Sequence, residues 1–134
     1  MAKESGIGFS AIIDDSGGTP RTISNDITNL TISTPRGEQD TTGLDKSGHE
    51  RLLLLADAAF GYNGVFNDAT NTSHDVFKTV PSTSVARTCT NAISGQTLAS
   101  ECLFTDYNLT RAADGSFTWT APGALSDGTV PTWA

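Results

Sequence analysis

Basic side chains are scarce in this chain. Eight Lys and Arg stand against 15 Asp and Glu, for a formal net charge of −7 and a sequence pI near 4.5. Such a surface repels phosphate, which disfavours ordinary nucleic-acid binding. Long apolar runs are missing as well. The longest, Leu52 to Ala56, falls far short of the roughly 18 residues a membrane span needs, so no membrane contact is expected. No apolar stretch follows Lys3, so no secretory signal is expected and the chain is expected to fold in a cytoplasm. Thiols are limited to Cys89 and Cys102. Without a signal sequence they read as free thiols, although both flank a turn-like Ser94-Gly95-Gln96 and their bridging depends on strand register.

Catalytic groupings are equally hard to find. His74 and Asp75 are neighbours, and in an extended chain they point to opposite faces, so they make no base–orienter pair. His49 falls in what reads as a first helical turn, where exposed polar residues are routine. Asp14-Asp15-Ser16-Gly17-Gly18 lacks the alternating ligands and closing Glu of a calcium loop and reads as a turn. Gly6-Ile7-Gly8 has no third glycine before a helix. Two cysteines and two distant histidines are no zinc site. No enzyme, cofactor or metal is expected.

What the chain does have is threonine, 20 residues of it, with Gly and Asp between short apolar runs. That composition favours strands and turns. At 134 residues and 37% hydrophobic, it is long enough for one domain, residues 1–134, with a modest core. Strands are expected over 7–14, 22–24, 27–33, 60–66, 85–93, 97–104, 107–111 and 117–121. Ala113-Asp114-Gly115 supplies a hairpin turn. Residues 74–78 are too short to classify. Trp133 ends an irregular tail and is expected to dock on its own sheet or on a neighbour. The class is all-β, a sandwich or partly closed barrel with one flanking helix.

Two adjacent stretches stand apart. Residues 34–43 contain no large apolar side chain and read as a polar loop. Residues 47–57 read as the one helix, because Ser47 and Glu50 fit a capping box and a Leu run follows. Four consecutive Leu cover more than one helical face, so that helix is expected to be packed on several sides.

Three segments then carry a resemblance. The first is Thr34-Pro35-Arg36-Gly37, followed by Thr42-Gly43-Leu44-Asp45-Lys46-Ser47 and Glu50 to Asp57. The second is Asn63-Gly64-Val65-Phe66-Asn67-Asp68 with His74 to Val80. The third is Phe104 to Arg111, ending in Asp127-Gly128-Thr129-Val130-Pro131-Thr132-Trp133. In order and spacing they resemble the major tail (tail tube) proteins of long-tailed, non-contractile bacteriophages. The resemblance implies a small β-sandwich or barrel with a flanking helix. It also implies rings, typically of six subunits, in which inward-facing hairpins join around a channel. Stacked rings would form a virion tail tube that conducts DNA from capsid to host. The implied partners are further copies of the chain and other tail proteins, such as terminator, tape measure and distal tail proteins. DNA would pass without specific binding.

Within that frame, Arg36, Glu38, Gln39, Asp40 and Thr41 are candidate inter-ring contacts, on a loop expected to be mobile in the free subunit and ordered between rings. The acid excess has two readings: an acidic channel lining that keeps DNA off the wall, or plain solubility. The competing assignment is a monomeric β-sandwich binding module, an adhesin or carbohydrate-binding domain. It explains the Thr-rich strands and leaves the polar loop, the Leu run and the Trp-ended tail unexplained.

Overall fold

Ten strands, one short α-helix and a single 3-10 turn at Ser24–Asp26 organise residues 3–134, the part of the chain that the computed structural model describes. Met1 and Ala2 lie outside it. β1 (Ser10–Asp14) pairs with β2 (Pro20–Thr22) on one side and β7 (Arg87–Ile93) on the other. β7 continues to β8 (Gln96–Phe104) through a turn with Ser94 and Gly95 at positive φ. β10 (Phe117–Leu125) then leads to β6 (Ala59–Val65) and β3 (Ile27–Ser33), giving the order β2-β1-β7-β8-β10-β6-β3, antiparallel throughout. β9 (Asn108–Arg111) shares an edge of β10 with β8: β8 takes Gly123 to Leu125, and β9 takes Phe117 to Thr120. The β9–β10 hairpin turns at Gly115, whose φ of 94° suits glycine, at the expected place.

The sheet curls over a single core. Tyr62 on β6 and Asn91 on β7 stand three strands apart in the order, yet the Tyr62 hydroxyl donates to Asn91 Oδ1 at 2.8 Å. The terminal strands β2 and β3 do not pair, so the barrel stays open. The all-β, partly closed architecture expected from composition is therefore present. Alternation sets the core: in β8 the buried residues are Leu98, Ser100, Cys102 and Phe104, and in β10 they include Trp119 and Ala121.

The flanking helix is α1 (Ser73–Phe77). It lays Val76 and Phe77 on the core, with the Phe77 ring 5.2 Å from Trp119 and 5.1 Å from Phe104. Asp26 anchors its first turn, accepting from Ser73 N at 3.0 Å and Asn67 Nδ2 at 2.8 Å. Buried Arg87 ties it to β1, donating to Asp14 O at 3.1 Å, Val76 O at 2.8 Å and Thr79 Oγ1 at 3.0 Å. Gly64 permits the closest approach: a Cβ there would meet Asp26 O at 2.0 Å and the Trp119 ring at 2.7 Å.

Two expectations are overturned. Residues 47–57 are not a helix: Ser47 and Gly48 lie in a bend, and the Leu run is strand β5 (Arg51–Ala56). Nor is it packed, since Leu52, Leu53, Leu54 and Leu55 are all exposed. Residues 34–43 are not a loop, because β4 (Arg36–Asp40) runs through them and pairs with β5. The physical reason is shared. A helix of about ten residues is marginal without a packed face, whereas in β5 Arg51, Leu52, Leu53 and Ala56 find backbone partners in β4.

Cys89 and Cys102 are both buried free thiols, set two residues out of register because Cys89 faces Ser100 and Arg87 faces Cys102. The tail docks as expected: Thr97 and Ala134 exchange backbone hydrogen bonds of 2.8 and 2.9 Å, and Trp133 lies opposite Leu98.

Candidate functional site

β4 and β5 form a separate two-stranded arm that shares no pairing with the main sheet. All of β4 and all of β5 except Ala56 are exposed. At the root, Asp57 N donates to Pro35 O at 2.8 Å; at the far end, Thr41 N donates to Glu50 O at 2.8 Å. The five residues singled out from the sequence all lie here. Arg36 folds its guanidinium back onto Leu54 O at 3.0 and 3.2 Å. Glu38 reaches Arg51 at 3.5 Å. Gln39 stands opposite Leu52, Asp40 opposite Arg51, and Thr41 leads out of the strand. Arg36 to Asp40 belong to strand β4, and Thr41 lies just past its end, where a loop was expected.

The partners of these residues are what composition missed. Strand alternation places Leu53 and Leu55 on one face with the Glu38–Arg51 pair, and Leu52 and Leu54 on the other with Gln39. Both faces therefore carry exposed leucines, and Leu55 is 91% exposed. An unbroken Leu run inside a strand signals two faces that need covering. Beside the root, Arg36, Leu54, Leu55, Ala56, Gly128 and Val130 frame a groove of about 410 Å³.

The arm tip is polar. Asp40 accepts from the Thr42 hydroxyl, from Thr42 N at 2.9 Å and from His49 Nδ1 at 3.1 Å. The Thr42 contacts first, and His49 after them, hold the Asp40 carboxyl below the usual carboxylate range. Thr42 and Asp40 both meet His49 at Nδ1, so the arrangement orients the ring and builds no nucleophile–base relay through Nε2. His74, on α1 rather than an extended strand, approaches the Tyr107 hydroxyl at 3.2 Å, and burial pushes that phenol up to about 12. Asp75 turns away to Asn71 N and Lys78. Among the described residues no three His, Cys, Asp or Glu side chains gather as a metal site.

A second surface is the outward side of β3-β6-β10-β9. This part of the sheet ends on both sides in strands without a further neighbour, β3 and β9. The seven residues of β3 contain no charge and no proline, the usual protections of an exposed edge. Because the four strands alternate in direction, β9 runs antiparallel to β3. One outward row crosses Asn29, Asn63, Thr120 and Asn108, and Thr120 Oγ1 donates to Asn63 Oδ1 at 2.9 Å. The next rows cross Thr31, Gly61 and Pro122, then Val65, Thr118 and Thr110.

No family model matches the sequence, and no curated protein does. Solved structures do match. Over 98% of this chain and 99% of the other, the fold agrees with TM-score 0.74 and 18% identity with a chain from the tail of an empty gene transfer agent (GTA) particle, a structure computed with helical refinement and C6 symmetry. A chain from the virion of a native GTA particle agrees with TM-score 0.71 and 17% identity, over 98% and 99% of the two chains. At these identities the likeness is one of fold, and it runs nearly end to end: this chain is folded like a chain of a gene transfer agent particle tail.

Proposed function

We propose that this protein is the repeating structural subunit of a phage-type tail tube, assembling into six-membered rings that stack around a DNA-conducting channel. The observation that carries the proposal is the near end-to-end likeness to a chain of a particle tail with C6 symmetry. Physical features fit the same assembly. A copy rotated about an axis beside the sheet brings its β9 antiparallel to β3 of the next copy, so pairing can continue from subunit to subunit. Such head-to-tail contacts close into a ring when the rotation closes. Six four-stranded units at a spacing of about 4.8 Å give a ring roughly 37 Å across between opposite backbones, wide enough for a duplex.

The arm supplies contacts along the axis. The leucines on its two faces are exposed, and the groove beside Leu54 and Val130 offers a seat for leucines from another copy. Arg36, Glu38, Gln39, Asp40 and Thr41 then act as the polar frame of the inter-ring contact. The tube ends would meet other tail proteins, and the assembled protein would reside in the virion. A glycan-binding module would display aromatic platforms, whereas here Phe60, Tyr62, Phe77, Phe104 and Trp119 are buried. Negative-stain electron microscopy of the purified protein tests the reading: rings or tubes are expected, and stable monomers at every concentration would overturn it.

A further inference from the structure

The acid excess of the chain raises the question of what the channel wall looks like to DNA. We propose that the outward face of β3-β6-β10-β9 is that wall and that it is electrically neutral. DNA would then stay mobile because nothing on the wall attracts or repels it, not because acids line the channel. This rests on the tube reading above and specifies the chemistry of its inner surface.

The argument begins with where the charges are. The chain has 23 charged residues, 15 acidic and eight basic, yet none stands in the outward rows of these four strands. Those rows hold Thr, Asn and Ser, with Ala, Gly, Pro and Val between them. The acids lie elsewhere. Glu38, Asp40, Asp45 and Glu50 are on the arm, and Asp106 and Asp114 sit in the turns that bound β9. Past Leu103 on β8, Glu101 is the first charge met on this side, and it is engaged by the Thr88 hydroxyl.

Elimination narrows what such a face can meet. It has no Lys or Arg to neutralise phosphates, so it cannot hold nucleic acid by counterion release. It has no aromatic ring to stack a base or a sugar. Val65 is its one large exposed apolar side chain, with Leu103 of β8 beside it, too few for a dry protein interface. Short hydroxyls and amides, some already bonded to each other as Thr120 is to Asn63, keep a water layer in place. A wet, uncharged wall suits a polyanion that must slide past.

The test places a thiol on the face and reads the local potential. Cys89 and Cys102 are buried, so Thr120→Cys introduces the reactive thiol, with Thr31→Cys as a second variant. Assembled tubes are treated with cationic and anionic methanethiosulfonates of equal size. The expected cation-to-anion rate ratio lies within about threefold of that for a free thiol; an acidic wall, at several kT of potential, would raise it more than about tenfold and overturn the proposal. Thiols that react in the free subunit and are fully shielded in tubes would place this face in a protein interface, which also overturns it. In parallel, Thr120→Lys tubes should retain labelled duplex in a salt-sensitive way while parent tubes retain none; unchanged retention counts against the proposal. If the parent chain forms no tubes, the tube reading itself falls. If tubes form and the ratio is high, only the neutral wall does.

Discussion

Strands β10 and β5 handle apolar side chains in opposite ways. β10 alternates, so that Trp119 and Ala121 go into the core while Thr118 and Thr120 face out. β5 does not alternate: Leu52, Leu53, Leu54 and Leu55 follow one another, and neither face is covered. The first pattern specifies a layer with one wet side. The second specifies a layer with none, and the subunit alone cannot supply both covers. The core therefore sets the stability of the single chain, and in the proposed tube the arm would serve contacts between copies. Substitutions that separate folding from assembly put this division to the test.

The largest effect belongs to the core. Trp119 is buried, packs on Phe77, and donates from Nε1 to Val65 O at 3.0 Å. Trp119→Ala is expected to remove about 3–5 kcal/mol in urea unfolding, which can leave the chain unfolded. Gly64→Val should act as severely, since Asp26 O is backbone and cannot swing aside. A loss under about 1 kcal/mol for Trp119→Ala would show that this region is looser than its contacts imply.

Arg87 comes next. Its guanidinium has no carboxylate partner and holds three neutral acceptors, so burial lowers its pKa. Arg87→Leu strands Asp14 O, Val76 O and Thr79 Oγ1 beside apolar surface. A loss of about 2–3 kcal/mol is expected from the unmet acceptors, with the largest rise in amide exchange at α1. Uniform exchange across the sheet and α1 would mean that Arg87 does not tie the helix down.

Arm substitutions invert the balance. Leu53→Ala and Leu54→Ala should each change monomer stability by no more than about 0.5 kcal/mol, because the side chains are exposed. Combined as Leu52→Ser with Leu54→Ser, or Leu53→Ser with Leu55→Ser, they should shorten or abolish tubes in electron micrographs. Normal tubes from both double variants would make the arm a passive extension. A large stability loss would instead mean that the arm folds back on its own sheet.

Much of the main sheet was legible because alternation is local. The runs ending at Asp14, Ile93, Phe104 and Arg111 end where the strands end. Residues 47–57 were misread because helix propensity and a capping-box pattern are also local, while the partner that makes β5 a strand lies across a ten-residue connection. The five polar candidates on 34–43 lie in or just past β4, a strand where a loop was expected. Residues 74–78 resisted classification because α1 is one short turn held from outside it, by Asp26, 47 residues from Ser73, and by Arg87, 11 residues from Val76. The charge-free face was invisible for the same reason: it exists only once Asn29, Asn63, Thr120 and Asn108 are brought into one row by register.

The smallest expected effect is confined to the arm tip, and it asks whether the tip is ordered in the free subunit. The Asp40 carboxylate is solvent-exposed, yet its pKa lies below the ordinary value because it accepts from the Thr42 hydroxyl and amide and from His49. A carboxyl with a depressed folded-state pKa contributes order that is fully present above its unfolded value, about 3.9, and disappears as pH falls through the lower folded value. At neutral pH the tip contacts are therefore intact, and they loosen only in strong acid. The Thr42 and Glu50 amides report on this directly, since Thr42 N donates to Asp40 Oδ1 and Glu50 N donates to Thr42 Oγ1, both at 2.9 Å. In an NMR titration both resonances should move together with a midpoint below about 3.9, while core resonances such as the Trp119 indole stay in place. Asp40→Asn should remove that titration and leave the core spectrum unchanged. A Thr42 midpoint at or above the ordinary aspartate value would mean that the tip is unformed until another copy covers the arm. Movement of the Trp119 indole over the same range would mean that arm and core do not behave as separate units.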